Sequence, residues 1–151
     1  MERQVYEGFS VVLPDGWSEL EDDATFAESD GDLPIRFALD VGGRGGAGTV
    51  LVTVPLFEGD EQPGDDKAEL LALAHGWGAR RGLSAPIASA TQARRGAMMA
   101  TAVYALRGQF VQLWFFSNGA SLMHASYVCD WDARENERTP REAIVASLRL
   151  I

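Results

Sequence analysis

Cysteine, histidine, lysine and long apolar runs are all scarce in this chain of 151 residues. The single cysteine, Cys129, excludes an internal disulfide and agrees with a reducing compartment. Two histidines, His75 and His124, are too few for a histidine-built zinc centre, which needs three or four convergent ligands. No segment approaches the roughly 18 consecutive apolar residues of a membrane helix. The opening MERQVYEGF lacks the basic-then-apolar order of a signal peptide, so a cytoplasmic protein is expected. No GxSxG elbow, GxxxxGK[ST] loop or EF-hand spacing occurs, which removes the local signatures of serine hydrolases, P-loop proteins and helix–loop–helix calcium sites.

What is present is acid, and it is unevenly placed. The formal net charge is −9, but residues 1–66 carry 16 Asp and Glu against three Arg. Residues 67–151 carry six acids against ten basic residues. Such a field disfavours nucleic acid and anionic membranes as partners and favours a basic protein. It also draws the two halves of one domain together. At 46% hydrophobic composition, the chain is expected to form a single domain over 1–151 with one sizeable core.

Periodicity organises that domain. Tyr6–Leu13 alternates as a strand and ends in the turn Pro14-Asp15-Gly16, behind which Trp17 can cover the core edge. Thr25–Ser29 reads as a short strand. Ile35–Val41 alternates strictly, as an antiparallel strand with one wet face does. Gly42–Gly48 reads as a mobile hairpin loop before the strand Thr49–Phe57, in which Pro55 implies an edge or bulge. Asp66 and Glu69 open a helix over about 66–81, with Leu70, Leu73, Ala74 and Trp77 as its stripe and Gly82 as its stop. A four-strand meander follows: Ile87–Arg94, Ala97–Leu106, Phe110–Phe116 and Leu122–Cys129. Its separators Arg95-Gly96, Arg107-Gly108 and Asn118-Gly119 each supply turn glycine, and Asn-Gly predicts a type I′ hairpin. Thr139, Pro140 and Glu142 predict a capping box for a helix over about 140–150, with Ile144, Leu148 and Ile151 facing inward. The fold class is therefore α+β, with helices covering the faces of a mostly antiparallel sheet.

Reactive side chains point to no strong chemistry. His124 and Cys129 lie an odd number of residues apart on one strand, so they face opposite sides and cannot share a metal or a proton. Asp60, Glu61, Asp65 and Asp66 have the oxygen chemistry for a hard cation, but read as a solvated acidic loop. No cofactor is expected. The consecutive Trp114, Phe115 and Phe116 imply either a strand covered on both faces, the favoured reading, or one face that offers an exposed binding patch. Trp131 between Asp130 and Asp132 is the candidate anchor for a partner's arginine. Asp60, Glu61 and Asp65 join these three as candidate partner-binding residues.

The segments GFSVVLPDGW, GTVLVTV, LWFFSNGASLMHASYVCD and EAIVASLRL resemble, in order, small bacterial proteins of the PsbP-like fold. That fold is shared by the extrinsic PsbP subunit of photosystem II and a Ran-binding nuclear import factor. The Leu-Pro-x-x-Trp turn and the Trp…Tyr-x-Cys hairpin carry most of the likeness, across residues 8–150. The resemblance implies an α/β/α sandwich and a binding or assembly role without enzymatic activity. The import factor's acidic contacts and PsbP's metal ligands do not fall on matched positions. Three functions are thus set against one another: an accessory or immunity-type binding module, a small-molecule binder or enzyme using a pocket near His75, His124 or Cys129, and a self-associating structural subunit; a monomer or homodimer is expected.

Overall fold

The alternating segments late in the chain form the centre of the fold. The computed structural model describes residues 3–6, 8–20, 35–41, 44–54, 66–83, 85–94 and 96–151. The large sheet comprises β3 (Trp17–Glu19), β4 (Ile35–Val41), β5 (Arg44–Thr53), β6 (Ala88–Arg94), β7 (Ala97–Leu106), β8 (Gln109–Ser117) and β9 (Leu122–Asp130). Its order is β3-β4-β5-β9-β8-β7-β6, with every neighbouring pair antiparallel. A second sheet joins β1 (Arg3–Tyr6), β2 (Phe9–Val12) and β10 (Arg149–Leu150), with β2 in the middle. Among the described residues, helices α1 (Lys67–Arg80) and α2 (Arg138–Ser147) cover the sheet.

Side-chain alternation divides the core by sheet face. Ala100, Ala102, Tyr104, Leu113, Phe115 and Leu122 meet Leu70 and Ala74 of α1 on one face. Trp114, Phe116, Met123, Ala125 and Tyr127 meet Ile144 and Val145 of α2, Leu148 just past its end, and Phe9 and Val11 of β2, on the other. This is the expected α/β/α arrangement, and the three consecutive aromatics are buried on both faces as the sequence implies.

Helix α1 follows its sequence signals. Asp66 caps it, accepting from the Ala68 N–H, and Gly82 at φ +72° ends it, with Leu83 N–H returning to the Gly78 carbonyl at 2.9 Å. Gly78 is buried on the same helix face as Leu70 and Ala74. A Cβ there would lie 2.7 Å from both Cζ and the hydroxyl oxygen of Tyr104. Tyr104 is itself buried and donates to the Ala74 carbonyl at 3.1 Å. Gly78→Ala should gain about 1 kcal/mol of helix propensity and lose more through overpacking and the displaced hydrogen bond. The expected result in urea unfolding is a net loss of about 2 kcal/mol; equal or higher stability would contradict this docking.

Several local expectations are corrected. The first strand is not continuous over Tyr6–Leu13: the chain reverses at Gly8, φ +88°, and Tyr6 pairs with Phe9. The glycine-rich segment is mostly strand rather than loop, because β5 begins at Arg44 and is already bonded to β4 there and to β9 from Gly48. Asn118-Gly119 is not a two-residue turn. Ser117 pairs with Leu122, and the Asn118 side-chain oxygen accepts from the Ala120 and Ser121 amides, an Asx-type loop. The two successive positive φ values of a type I′ turn occur at Arg107 and Gly108, between paired Leu106 and Gln109. No capping box forms at Thr139, since α2 begins at Arg138 and Glu142 instead pairs with Arg138. Ile151 is exposed, not part of the inward stripe. The expected strand Thr25–Ser29, Pro55, and the acidic loop up to Asp65 lie outside the described residues.

Candidate functional site

The residue that replaces the expected cap is the centre of a buried polar group. Glu137, directly before α2, is almost fully buried. Its Oε1 accepts from the Tyr127 hydroxyl at 2.6 Å and from the Gly48 N–H at 2.9 Å. One carboxylate thereby ties the start of α2 to β9 and β5, satisfying donors that burial would otherwise leave costly. Arg141, one turn on, is also buried. Its guanidinium lies 4.8 Å from the ring centres of both Phe110 and Tyr127 and donates to the Arg134 carbonyl at 2.7 Å. Burial and the adjacent Glu137 push the Tyr127 phenol up. Cys129 stands on the same face, and burial pushes its thiol up although Tyr127 and Arg141 act the other way. A protonated thiol is a poor nucleophile.

His124 belongs to the opposite face, as the odd spacing requires. Its ring is 4.5 Å from Phe115 and 5.8 Å from Trp77 of α1, between centres. Nδ1 is covered and has no hydrogen-bond partner. Burial, then the nearby Arg81 charge, lowers its pKa to about 4, against a backbone hydrogen bond with Trp114 that works to raise it. Arg81 itself sits 3.9 Å over the Trp77 ring. His75 is exposed on α1. The sheet therefore separates His124 from Cys129, and the structure brings none of the three candidate reactive side chains together. Among the described residues, no group of three His, Cys, Asp or Glu side chains is placed to hold a metal.

Asp130, Trp131 and Asp132 form the corner where β9 passes into a short 3-10 turn, Trp131–Ala133. The Trp131 N–H donates to the Gly108 carbonyl at 2.8 Å, so the β7–β8 turn fixes the corner. Both carboxylates are exposed, while Trp131 is partly buried against Phe110, 6.2 Å between ring centres. Arg134 lies 4.3 Å over the Trp131 ring and donates to its carbonyl at 2.7 Å. The ring thus already carries an arginine from its own chain. Asp60, Glu61 and Asp65 fall outside the described residues.

The backbone as a whole is similar to solved structures. Cyanobacterial PsbP from Synechocystis sp. PCC 6803 superposes with a TM-score of 0.66 at 13% identity, over 99% of this chain and 92% of that one. The fold is PsbP-like. A Bacteroides thetaiotaomicron VPI-5482 protein matches with a TM-score of 0.54 at 15% identity, over 95% of this chain and 45% of that one. No family model matches the sequence, and neither does any curated protein. At such identities the PsbP-like likeness concerns the backbone and the core, and a shared fold carries no shared activity. Among the described residues, no helix of this PsbP-like chain is long and apolar enough to cross a membrane.

The Glu137–Tyr127–Gly48 tie and the close approach of Tyr104 to Gly78 carry no signal in the sequence. A polar residue at the start of a helix reads as a cap, and only the tertiary fold reveals that Glu137 turns inward. Glycine in a helix gives no hint of which ring lies beneath it.

Proposed function

We propose that this chain is a non-enzymatic protein-binding module of accessory or immunity type. Its acidic first half steers a basic partner, and the Asp130-Trp131-Asp132 corner contacts it. The observation that carries this reading is the corner itself. Two exposed carboxylates flank a tryptophan whose backbone N–H is pinned to the Gly108 carbonyl and whose ring packs against Phe110. Such a rigid, amphipathic contact costs little conformational entropy on binding. A partner's arginine would take over the ring face that Arg134 now covers, with Asp130 and Asp132 completing its charge pairing. Supporting a binding role over an enzymatic one, His124 and Cys129 are held on opposite faces in their uncharged forms.

The test uses the full chain as bait in host lysate at low and high salt, beside Trp131→Ala and the double variant Asp130→Asn/Asp132→Asn. A partner retained at low salt, lost at high salt, and reduced about tenfold by either variant is expected. Retention that both variants leave unchanged would overturn the assignment of the corner.

A further inference from the structure

A second surface has the opposite chemistry. An open cleft of about 650 Å³ lies where the β6–β7 turn, the β8–β9 loop and the end of α2 converge. Among the described residues, its polar side chains are Arg94, Asn118 and Arg149, and no acidic side chain lines it. Asn118 has its oxygen engaged by two loop amides, so its NH₂ is what it can offer a ligand. Every polar side chain on the wall is therefore a donor, two of them cationic. The floor is apolar, formed by Phe116, Met123 and Leu148, all buried.

Arg94 is the unusual member. It is partly buried, and burial lowers its pKa, so its charge has lost part of its hydration. It has no ion-pair partner among the described residues. Its Nε is covered and has no acceptor. Nη1 reaches only the Val145 carbonyl near the end of α2, at a long 3.5 Å, and the group stands 5.8 Å from the Phe116 ring centre. Favourable placement at a helix C-terminus accounts for one of five N–H donors. The covered Nε–H is left without an acceptor, which is costly unless an anion joins the group.

We propose that this cleft is a binding site for a small carboxylate with an apolar body. The carboxylate pairs with Arg94 and is assisted by Arg149 and the Asn118 amide, and the body lies over Phe116, Met123 and Leu148. Planar carboxylate matches planar guanidinium, and the weak hold of Val145 lets Arg94 turn toward it. The volume lies within the ordinary range for small-ligand sites, and an apolar floor beneath a few convergent polar groups is a feature such sites use. This site is separate from the Asp130-Trp131-Asp132 corner and does not depend on it.

The experiment titrates ¹⁵N-labelled full chain with octanoate, with 1-octanol as the uncharged match and acetate as the head group alone. Octanoate should shift the amides of Ala97, Asn118 and Arg149 saturably. Octanol and acetate should bind at least about tenfold more weakly. Arg94→Gln should weaken octanoate about tenfold or more, and Arg149→Gln, at an exposed position, by about threefold. Should Arg94→Gln loosen the end of α2, the octanoate-to-octanol ratio and Arg149→Gln still decide the matter. Octanol binding as tightly as octanoate, or octanoate shifts that do not saturate or fall away from the cleft, would overturn the proposal. So would equal affinity in a folded Arg94→Gln.

Discussion

Gly48→Ala is expected to cost about 3 kcal/mol or more, lowering the thermal midpoint by roughly 10 °C. The added Cβ would lie 2.6 Å from the Tyr127 ring, and closer still to the Val128 carbonyl oxygen on the neighbouring strand. Neither neighbour can give way cheaply. The Val128 carbonyl is backbone within the β5–β9 ladder, and Tyr127 is fully buried with its hydroxyl fixed on Glu137. Relief would require β5 to separate from β9, and that movement would also withdraw the Gly48 N–H from Glu137. An exposed strand glycine would respond in the opposite way, gaining stability from the reduced freedom of the unfolded chain. Denaturant unfolding therefore discriminates sharply. A large loss places Gly48 under Tyr127, and a neutral or stabilising effect would mean that the segment is the loop its composition suggests.

Acid is expected to destabilise the protein through His124. An unfolded histidine titrates near 6.5, whereas the folded pKa is about 4. The folded state thus holds the neutral ring and resists protonation. Its contribution is fully present above about pH 6.5, declines as pH falls through the interval to about 4, and is gone below that. A difference of roughly 2.5 units corresponds to at most about 3 kcal/mol. Carboxylates titrate in part of the same range, so the informative quantity is the difference between wild type and His124→Phe. Phenylalanine keeps an aromatic ring between Phe115 and Trp77 and removes an Nδ1 that has no partner. Stability measured from pH 7 to 4.5 should fall about 2 kcal/mol further in wild type than in the variant. Parallel curves would show that the ring is protonated without cost, and hence not desolvated between Phe115 and Trp77.

The outcome at Gly48 also explains what could be read from the sequence. Strands β6 to β9 were legible almost to the residue, because alternation and turn glycines are local signals. Helix α1 was legible for the same reason, with Asp66 and Gly82 marking its ends. The start of β5, from Arg44 to Gly48, failed because glycine lowers strand propensity locally, while the pairing that holds this strand comes from β4 and from β9, which lies far later in the chain. Asn118-Gly119 failed because the Asn118 side chain closes a longer loop on its own, leaving the type I′ geometry to Arg107-Gly108. The facing of His124 and Cys129 was fixed by the pleat alone. What the pleat cannot convey is depth: His124 lies beneath Trp77, and Glu137 is drawn into the core by Tyr127. At the candidate site, the sequence singled out Trp131 as a contact residue but not the Arg134 that stacks on it, three residues further along a turn.

The most direct test of the binding account is an amide shift map of the ¹⁵N-labelled chain with its captured partner added at low salt. Shifts concentrated at Asp130, Trp131, Asp132 and Arg134, and reversed by salt, are the expected result. Saturable shifts that leave this corner still and cluster elsewhere, for instance along the edge strand β6, would contradict it.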